Sequence, residues 1–155
     1  VRFCTETLGF DAAFDYKTCP DLPAAIGAAA PDGVHVFFDN AGGTIHLAVA
    51  RHLALRARII ICGVMSQNNP QPGSEPAPYD FRLILTKRAR MQGMLVSDFA
   101  DLFEQARADL AKWYAEGKLT CHETIAEGIE AAPAAFLGLL KGENLGKQLV
   151  RVAAE

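Results

Sequence analysis

Short apolar segments that alternate with helical segments constrain the fold of this chain most strongly. Arg58 to Cys62 reads RIIIC, with β-branched residues on both sides of the pleat, and Val34 to Phe38 is similarly apolar. Strands of this kind are typical of a sheet covered on both faces, and strands that alternate with helices pair in parallel. The pattern up to residue 96 therefore predicts an α/β fold with a parallel, right-handed wound sheet.

Capping and turn residues place the remaining elements. Asp21 caps a helix with Pro23 in its first turn, and a Pro-Asp-Gly turn at 31–33 stops it. The predicted strands are Ala12–Phe14, Val34–Phe38, Arg58–Cys62, Met91–Val96, Cys121–Ala126 and Lys147–Val152. The other predicted helices begin at Thr44, within Tyr79–Thr86, after Asp101 and at Pro133. The helix from Thr44 is predicted to place Ala48, Val49, His52 and Leu53 on one face. Residues 68–78, rich in Pro, Gly and Ser, are predicted to form an exposed loop.

Composition excludes several classes of function. The 155 residues carry a net charge of −3, without the basic excess of nucleic-acid-binding or membrane-surface proteins. The apolar runs are too short to span a bilayer, and the first residues lack the regions of a signal peptide. The four cysteines form no CxxC pair, so we expect reduced thiols in a cytosolic protein.

Glycines follow three predicted strand or loop ends. The segments are NAGG at 40–43, CGVMS at 62–66 and NLGK at 144–147. Glycine allows a ligand to approach the backbone closely, although it is also common in ordinary turns. The first two segments follow strands of one parallel sheet, whose carboxyl ends meet at one edge. We therefore expect a ligand at that edge.

No standard catalytic or phosphate-binding motif identifies the ligand. The chain contains neither GxGxxG nor GxxxxGK[ST]. Its four histidines do not lie at metal-ligand spacing from the cysteines, so we expect no metal site. Ser66 is not in a GxSxG motif, and Cys62 is open to two interpretations, a nucleophile or a small buried residue.

A set of ordered segments resembles one enzyme family. The segments are LGFDAAFDYK, PDGVHVFFDNAGG, ARIIICGVMSQ, RARMQGMLV, WYAEGKL and AAFLGLLKGENLGK. Together they resemble the zinc-independent medium-chain dehydrogenases/reductases, and within these the NADP-dependent alkenal/one reductases, the prostaglandin reductase group. The resemblance covers the whole chain but only the C-terminal half of that family.

The resemblance implies a division of the chain into two parts. Residues 1–96 resemble the later part of a Rossmann dinucleotide-binding domain that lacks its first strands and glycine-rich loop. Residues 97–155 resemble the segment that returns to a GroES-like catalytic domain.

The resemblance also implies a cofactor, NADP(H), and the residues that contact it. Tyr16 resembles the tyrosine near the adenosine ribose, and Asn40 resembles an asparagine that hydrogen-bonds the cofactor. The remaining implied cofactor-binding residues are Cys62, Gly63, Met65, Met94, Leu95, Val96, Asn144 and Gly146. Asn68 stands where the family often has a ligand-contacting tyrosine. The lysine that selects NADP over NAD would lie before residue 1, so this preference rests on the resemblance.

The implied activity is reduction of the C=C bond of α,β-unsaturated ketones or aldehydes, with no proton donor assigned. A homodimer joined through the edge strand Met91–Val96 is also implied. Two alternatives stay open: a quinone reductase, and a non-catalytic interaction module if these 155 residues are the whole product. On the first interpretation, the chain alone is expected to be inactive.

Overall fold

The computed structural model describes residues 1–67 and 79–153. Within these ranges the chain divides into two compact units, Val1–Phe103 and Glu104–Glu155. The predicted loop at 68–78, with Asn68, lies outside the described residues. The assignment of the second unit to a catalytic domain stays a prediction.

The first unit is built on a parallel sheet of three strands. Its elements are α1 (Leu22–Ala29), β1 (Val34–Asp39), α2 (Gly43–Ala50), β2 (Leu53–Ile61), α3 (Phe81–Lys87) and β3 (Arg90–Gly93). The strands lie in the order β1-β2-β3, which makes β3 an edge strand. Short helical turns at Phe3–Thr7, Met65–Gln67 and Val96–Leu102 complete the unit. The predicted parallel α/β sheet is confirmed.

The second unit contains one strand–helix–strand motif. The unit contains α4 (Phe103–Ala115) apart from its first residue, β4 (Glu123–Glu127), a turn at Ile129–Ala131, α5 (Ala132–Lys141) and β5 (Lys147–Arg151). β4 and β5 pair in parallel, with Ile125 opposite Leu149. Gly142 ends α5 in the left-handed conformation that glycine adopts without steric cost. The predicted helix from Pro133 to Gly142 is therefore confirmed.

Capping explains where α1 begins. The side chain of Asp21 accepts a hydrogen bond of 2.9 Å from the backbone N–H of Ala24, and Pro23 lies in the first turn. The cap satisfies one of the N–H groups that a helix leaves unpaired at its start. This end of α1 is as predicted.

The core of the first unit lies on one face of the sheet. Phe37, Ile59 and Met91 pair in register across the three strands, and they contact the residues of the buried core. On the other face Val36 is 50% exposed and Phe38 57% exposed. The expectation that the strands are covered on both faces is therefore wrong for the described residues, because the described core packs against one face.

Several predicted elements differ from the structure. The strand predicted at Arg58–Cys62 runs from Leu53 to Ile61. Ala12–Phe14 is not a strand, since a strand requires a hydrogen-bonded neighbour and this segment has none among the described residues. The strand predicted to run to Val96 ends at Gly93, the last residue that pairs with β2. The helix that begins at Gly43 ends at Ala50, so Leu53 starts β2 instead of extending the apolar helical face.

Every helix among the described residues is too short or too polar to cross a bilayer.

Candidate functional site

Asp39, the last residue of β1, organises the connection from β1 to α2. Its side chain is 1% exposed. One carboxylate oxygen accepts hydrogen bonds from the backbone N–H groups of Ala41 (2.9 Å) and Gly42 (2.8 Å). The other lies 2.6 Å from Nδ1 of His46, which is also buried.

Backbone hydrogen bonds join the ends of β1 and β2. The carbonyl oxygen of Asp39 accepts from the N–H groups of Cys62 (2.8 Å) and Gly63 (3.1 Å). The carbonyl oxygen of Asn40 accepts from Met65 at 3.1 Å. The two glycine-bearing segments therefore lie side by side at the carboxyl edge of the sheet, as expected for adjacent parallel strands.

Two glycines at this edge lie where a side chain would be crowded. A Cβ atom on Gly63 would lie 3.0 Å from the carbonyl oxygen of Asn40, which is backbone and does not yield easily. A Cβ atom on Gly43 would lie 2.6 Å from Oγ of Ser66, and Gly43 has a φ of +56°. Glycine at both positions allows the two loops to approach each other closely.

An open cavity of about 440 Å³ lies at the ends of β2 and β3. Four predicted cofactor-binding residues line it together, namely Cys62, Gly63, Met94 and Leu95. Met94 is held there because its N–H donates to the carbonyl oxygen of Ile61 at 2.9 Å. The cavity has the place and size of a ligand site in an open parallel sheet.

The backbone of Asn40 lies next to Gly63, one of the residues that line this cavity. Its side chain is exposed and forms no hydrogen bond with another described residue. Its amide can therefore both donate to and accept from a ligand.

The other predicted site residues of the first unit do not line the cavity. Val96 begins the turn after β3 with its side chain exposed, and Met65 is exposed in the turn after β2. Tyr16 is exposed in the segment before α1.

Asn144 and Gly146 form a tight turn in the second unit. Nδ2 of Asn144 donates to the carbonyl oxygen of Gly146 at 2.7 Å. Gly146 has a φ of +74°, and a Cβ there would overlap the carbonyl oxygen of His122. The NLGK segment therefore requires its glycine for steric reasons.

A second cavity, of about 360 Å³, contains polar groups that sequence reasoning missed. Asp39, His46 and Tyr79 line it among mostly apolar side chains. The ring centroids of His46 and Tyr79 lie 4.9 Å apart. The Tyr79 hydroxyl has no hydrogen-bond partner among the described residues, and burial raises the pKa of this phenol. The seven-residue separation of Asp39 from His46 carries no recognisable motif in sequence.

Among the described residues no group of three or more His, Cys, Asp or Glu side chains is placed to hold a metal ion.

Comparison with known families identifies the family to which this chain belongs. A family model described as zinc-binding dehydrogenase matches residues 1–113. The chain belongs to this family, the medium-chain dehydrogenases/reductases. The predicted family is thus confirmed.

Relatives and solved structures within the family agree with this assignment. The chain is 44% identical to prostaglandin reductase 1 of Mus musculus over 94% of its length and 44% of the relative's. It is 39% identical to an NADP(+)-dependent 2-alkenal reductase of Nicotiana tabacum over 100% of its length and 45% of the relative's. A crystal structure of CurA from Vibrio vulnificus in complex with NADPH superposes with a TM-score of 0.87 at 34% identity, covering 99% of this chain and 47% of that one. This dehydrogenase/reductase chain therefore spans about half the length of the relatives it matches.

Replacing Asp39 with alanine is expected to lower the free energy of unfolding by about 3 kcal/mol, because buried donors lose a charged acceptor. Urea unfolding measures the change. Asp39→Asn, which keeps one carbonyl oxygen for the two N–H groups, is expected to lose less. Asp32→Ala, at an exposed turn, is the matched control and is expected to change little. Equal losses in the Asp39→Ala and Asp32→Ala variants would contradict the role of Asp39.

The raised pKa of Tyr79 predicts a pH dependence of stability. The folded state holds the Tyr79 proton more tightly than the unfolded state, whose phenol has the ordinary pKa of 10.0. The contribution of Tyr79 to stability is therefore complete below that pH and lost as pH rises through the folded pKa. Urea unfolding below and above pH 10.0 should show a smaller decline for Tyr79→Phe than for wild type. Tyr114→Phe, at an exposed position, should retain the wild-type decline; parallel curves for all three proteins would refute the prediction.

Proposed function

We propose that this chain is the carboxyl-terminal part of an NADP(H)-dependent oxidoreductase that reduces the C=C bond of α,β-unsaturated ketones or aldehydes. Residues 1–96 would complete its dinucleotide-binding domain, and residues 97–155 would return to its catalytic domain. The observation that carries the proposal is the cavity lined by Cys62, Gly63, Met94 and Leu95 at the carboxyl edge of the sheet. The names of the relatives support NADP(H) as the cofactor and an enal or enone as the small-molecule substrate.

The residues at this edge suit a dinucleotide. Gly63 presents backbone without a side chain, which allows a flat ring or a ribose to lie close to the strand end. The exposed Asn40 amide offers a donor and an acceptor, the groups needed to hydrogen-bond a ribose hydroxyl or a carboxamide. Leu95 supplies an exposed apolar surface on the β3 side of the cavity. Polar and apolar contacts of these kinds fix a cofactor in one orientation.

The chain's own contribution to the reaction would be to orient the cofactor. When bound, NADPH would supply hydride chemistry for reduction of the C=C bond, and this chain's residues would hold the cofactor in place. Met94 and Leu95 would give the cofactor an apolar surface on one side of the cavity, and the exposed Asn40 amide would hydrogen-bond one of its polar groups. In the second unit, the turn formed by Asn144 and Gly146 is proposed as a further cofactor contact. We assign no residue as the proton donor.

Two further properties belong to the same proposal. The edge position of β3 supports a homodimer in which this strand pairs with its counterpart in a second copy. The four free cysteines support a cytoplasmic location, where thiols remain reduced.

Asn40 gives the sharpest test of the cofactor site. In the complete reductase, Asn40→Ala is expected to raise the KM for NADPH about tenfold, the effect of losing roughly one hydrogen bond to the ligand. We expect kcat to change much less, because the bond is made before and during hydride transfer alike. Gln105→Ala, on an exposed helix surface, is the control and should leave both constants unchanged. An unchanged KM in the Asn40→Ala variant would remove Asn40 from the proposed site.

The chain by itself is expected to show no turnover of NADPH with an enone, because the first strands of the dinucleotide-binding domain and most of the catalytic domain would be missing. The assay is NADPH absorbance with a simple enone on the purified 155-residue chain, with a quinone as a second substrate. Turnover of the enone by this chain would contradict the expectation of inactivity, and turnover of the quinone alone would favour a quinone reductase.

The intact mass of the polypeptide made by the source gene separates the enzyme from an interaction module. A mass well above that of these 155 residues supports the reductase, and the assay then moves to the whole protein. A mass equal to it favours a non-catalytic partner-binding module.

A further inference from the structure

Four arginines converge at the amino end of the sheet in the first unit. Arg56, Arg58, Arg88 and Arg90 line a concave cavity of about 290 Å³. The chain has 15 Lys and Arg residues in total and a net charge of −3, so composition does not explain this concentration of positive charge. The cavity contains no residue of the proposed cofactor site.

The sheet register brings two of these arginines together. Arg58 of β2 lies directly opposite Arg90 of β3, so both side chains project from the same face. Like charges in directly opposed positions destabilise a sheet unless something compensates them. Arg90 lies three residues before Gly93, where β3 ends, which separates it from the carboxyl edge by about 10 Å.

The other two arginines occupy backbone conformations that favour glycine. Arg56 has a φ of +61° in the segment where β2 shifts register against β1. Arg88 has a φ of +49° at the end of α3, where its N–H donates to the carbonyl oxygens of Ile84 and Leu85. Among the described residues these are the two non-glycine positions with positive φ. Both strained positions thus carry a guanidinium group into the same cavity.

No described acidic side chain neutralises this cluster. Within residues 1–67 and 79–153, none of the four guanidinium groups forms an ion pair or a side-chain hydrogen bond. By contrast, Arg82 and Arg151 pair with Asp80 and Glu127. The cluster therefore has unused donors and uncompensated charge at one place.

We propose that this arginine cluster is a binding site for a small molecule that carries two or more adjoining phosphoryl groups. Guanidinium groups bind phosphoryl oxygens through paired N–H donors, and several of them around one concavity match a multiply charged anion better than a single phosphate. The volume is close to the lower end of small-ligand sites, which suits a diphosphate group better than a whole dinucleotide. The arginine cluster shares no residue with the proposed cofactor site, and binding there does not depend on reductase activity.

Isothermal titration with inorganic diphosphate, and separately with ADP, tests the site. Each titration is done with and without saturating NADPH, so that binding at the cofactor site is recognised. Wild type is expected to bind diphosphate saturably under both conditions, and more weakly as salt is raised. The double variant Arg58→Gln/Arg90→Gln is expected to bind it at least tenfold more weakly, which corresponds to about 1.4 kcal/mol. Arg51→Gln removes an exposed arginine outside the cluster and should bind like wild type.

The two ligands distinguish the sources of the diphosphate group. Tighter binding of ADP than of diphosphate, lost in the double variant, assigns the site to a nucleotide. Equal binding assigns it to the diphosphate group alone. Absence of saturable binding of both ligands to wild type would overturn the proposal, and so would equal affinities in wild type and the double variant.

Arg88→Gly separates binding from folding. Glycine adopts the left-handed conformation at this helix end more easily than arginine, so thermal stability should be unchanged or higher. Diphosphate binding should nevertheless weaken, because one guanidinium group is lost. A stable Arg88→Gly variant with wild-type affinity would show that Arg88 does not contribute to an anion site.

Discussion

The buried carboxylate of Asp39 is the interaction on which the rest of the first unit depends. In a parallel sheet each strand is followed by a helix that packs on one face of the sheet. The connection between the two, and the first turn of the helix, contain backbone N–H groups without partners in the helix or the sheet. Asp39 satisfies two of them and holds His46 in the first turns of α2. Its own carbonyl oxygen accepts from the segment after β2. One residue thus sets the position of a helix, a loop and the neighbouring strand end.

This arrangement leaves the carboxyl edge of the sheet open. The Asp39 side chain turns into the core, whereas the next residue, Asn40, remains exposed with its amide available. Gly63 reduces the steric bulk between the two loops. Side chains alternate in direction at the end of a strand, so Asp39 stabilises the turn while the neighbouring Asn40 stays exposed.

Much of the fold could be predicted from local patterns. Asp21, Pro23 and the turn at 31–33 bound α1 because capping and proline effects act within a few residues. Apolar runs located β1 and β2, since burial has a clear sequence period. Ala12–Phe14 and the last residues of Met91–Val96 were wrong as strands, because a strand requires a hydrogen-bonded neighbour and local pattern does not reveal one. The prediction that both faces of the sheet are covered was also wrong for the described residues, because Val36 and Phe38 are exposed.

The sequence by itself determined most of the strands and helices, the family, and the glycines that the strand ends require. These properties depend on local sterics and on periodic burial, and both can be read from residues that are close together in the sequence. Tertiary structure alone decided that Asp39 meets His46, that Cys62 and Leu95 line one cavity, and that Arg58 lies opposite Arg90. Such pairings depend on strand register and on the shift of register in β2, where a displacement of one residue would turn each side chain to the other face.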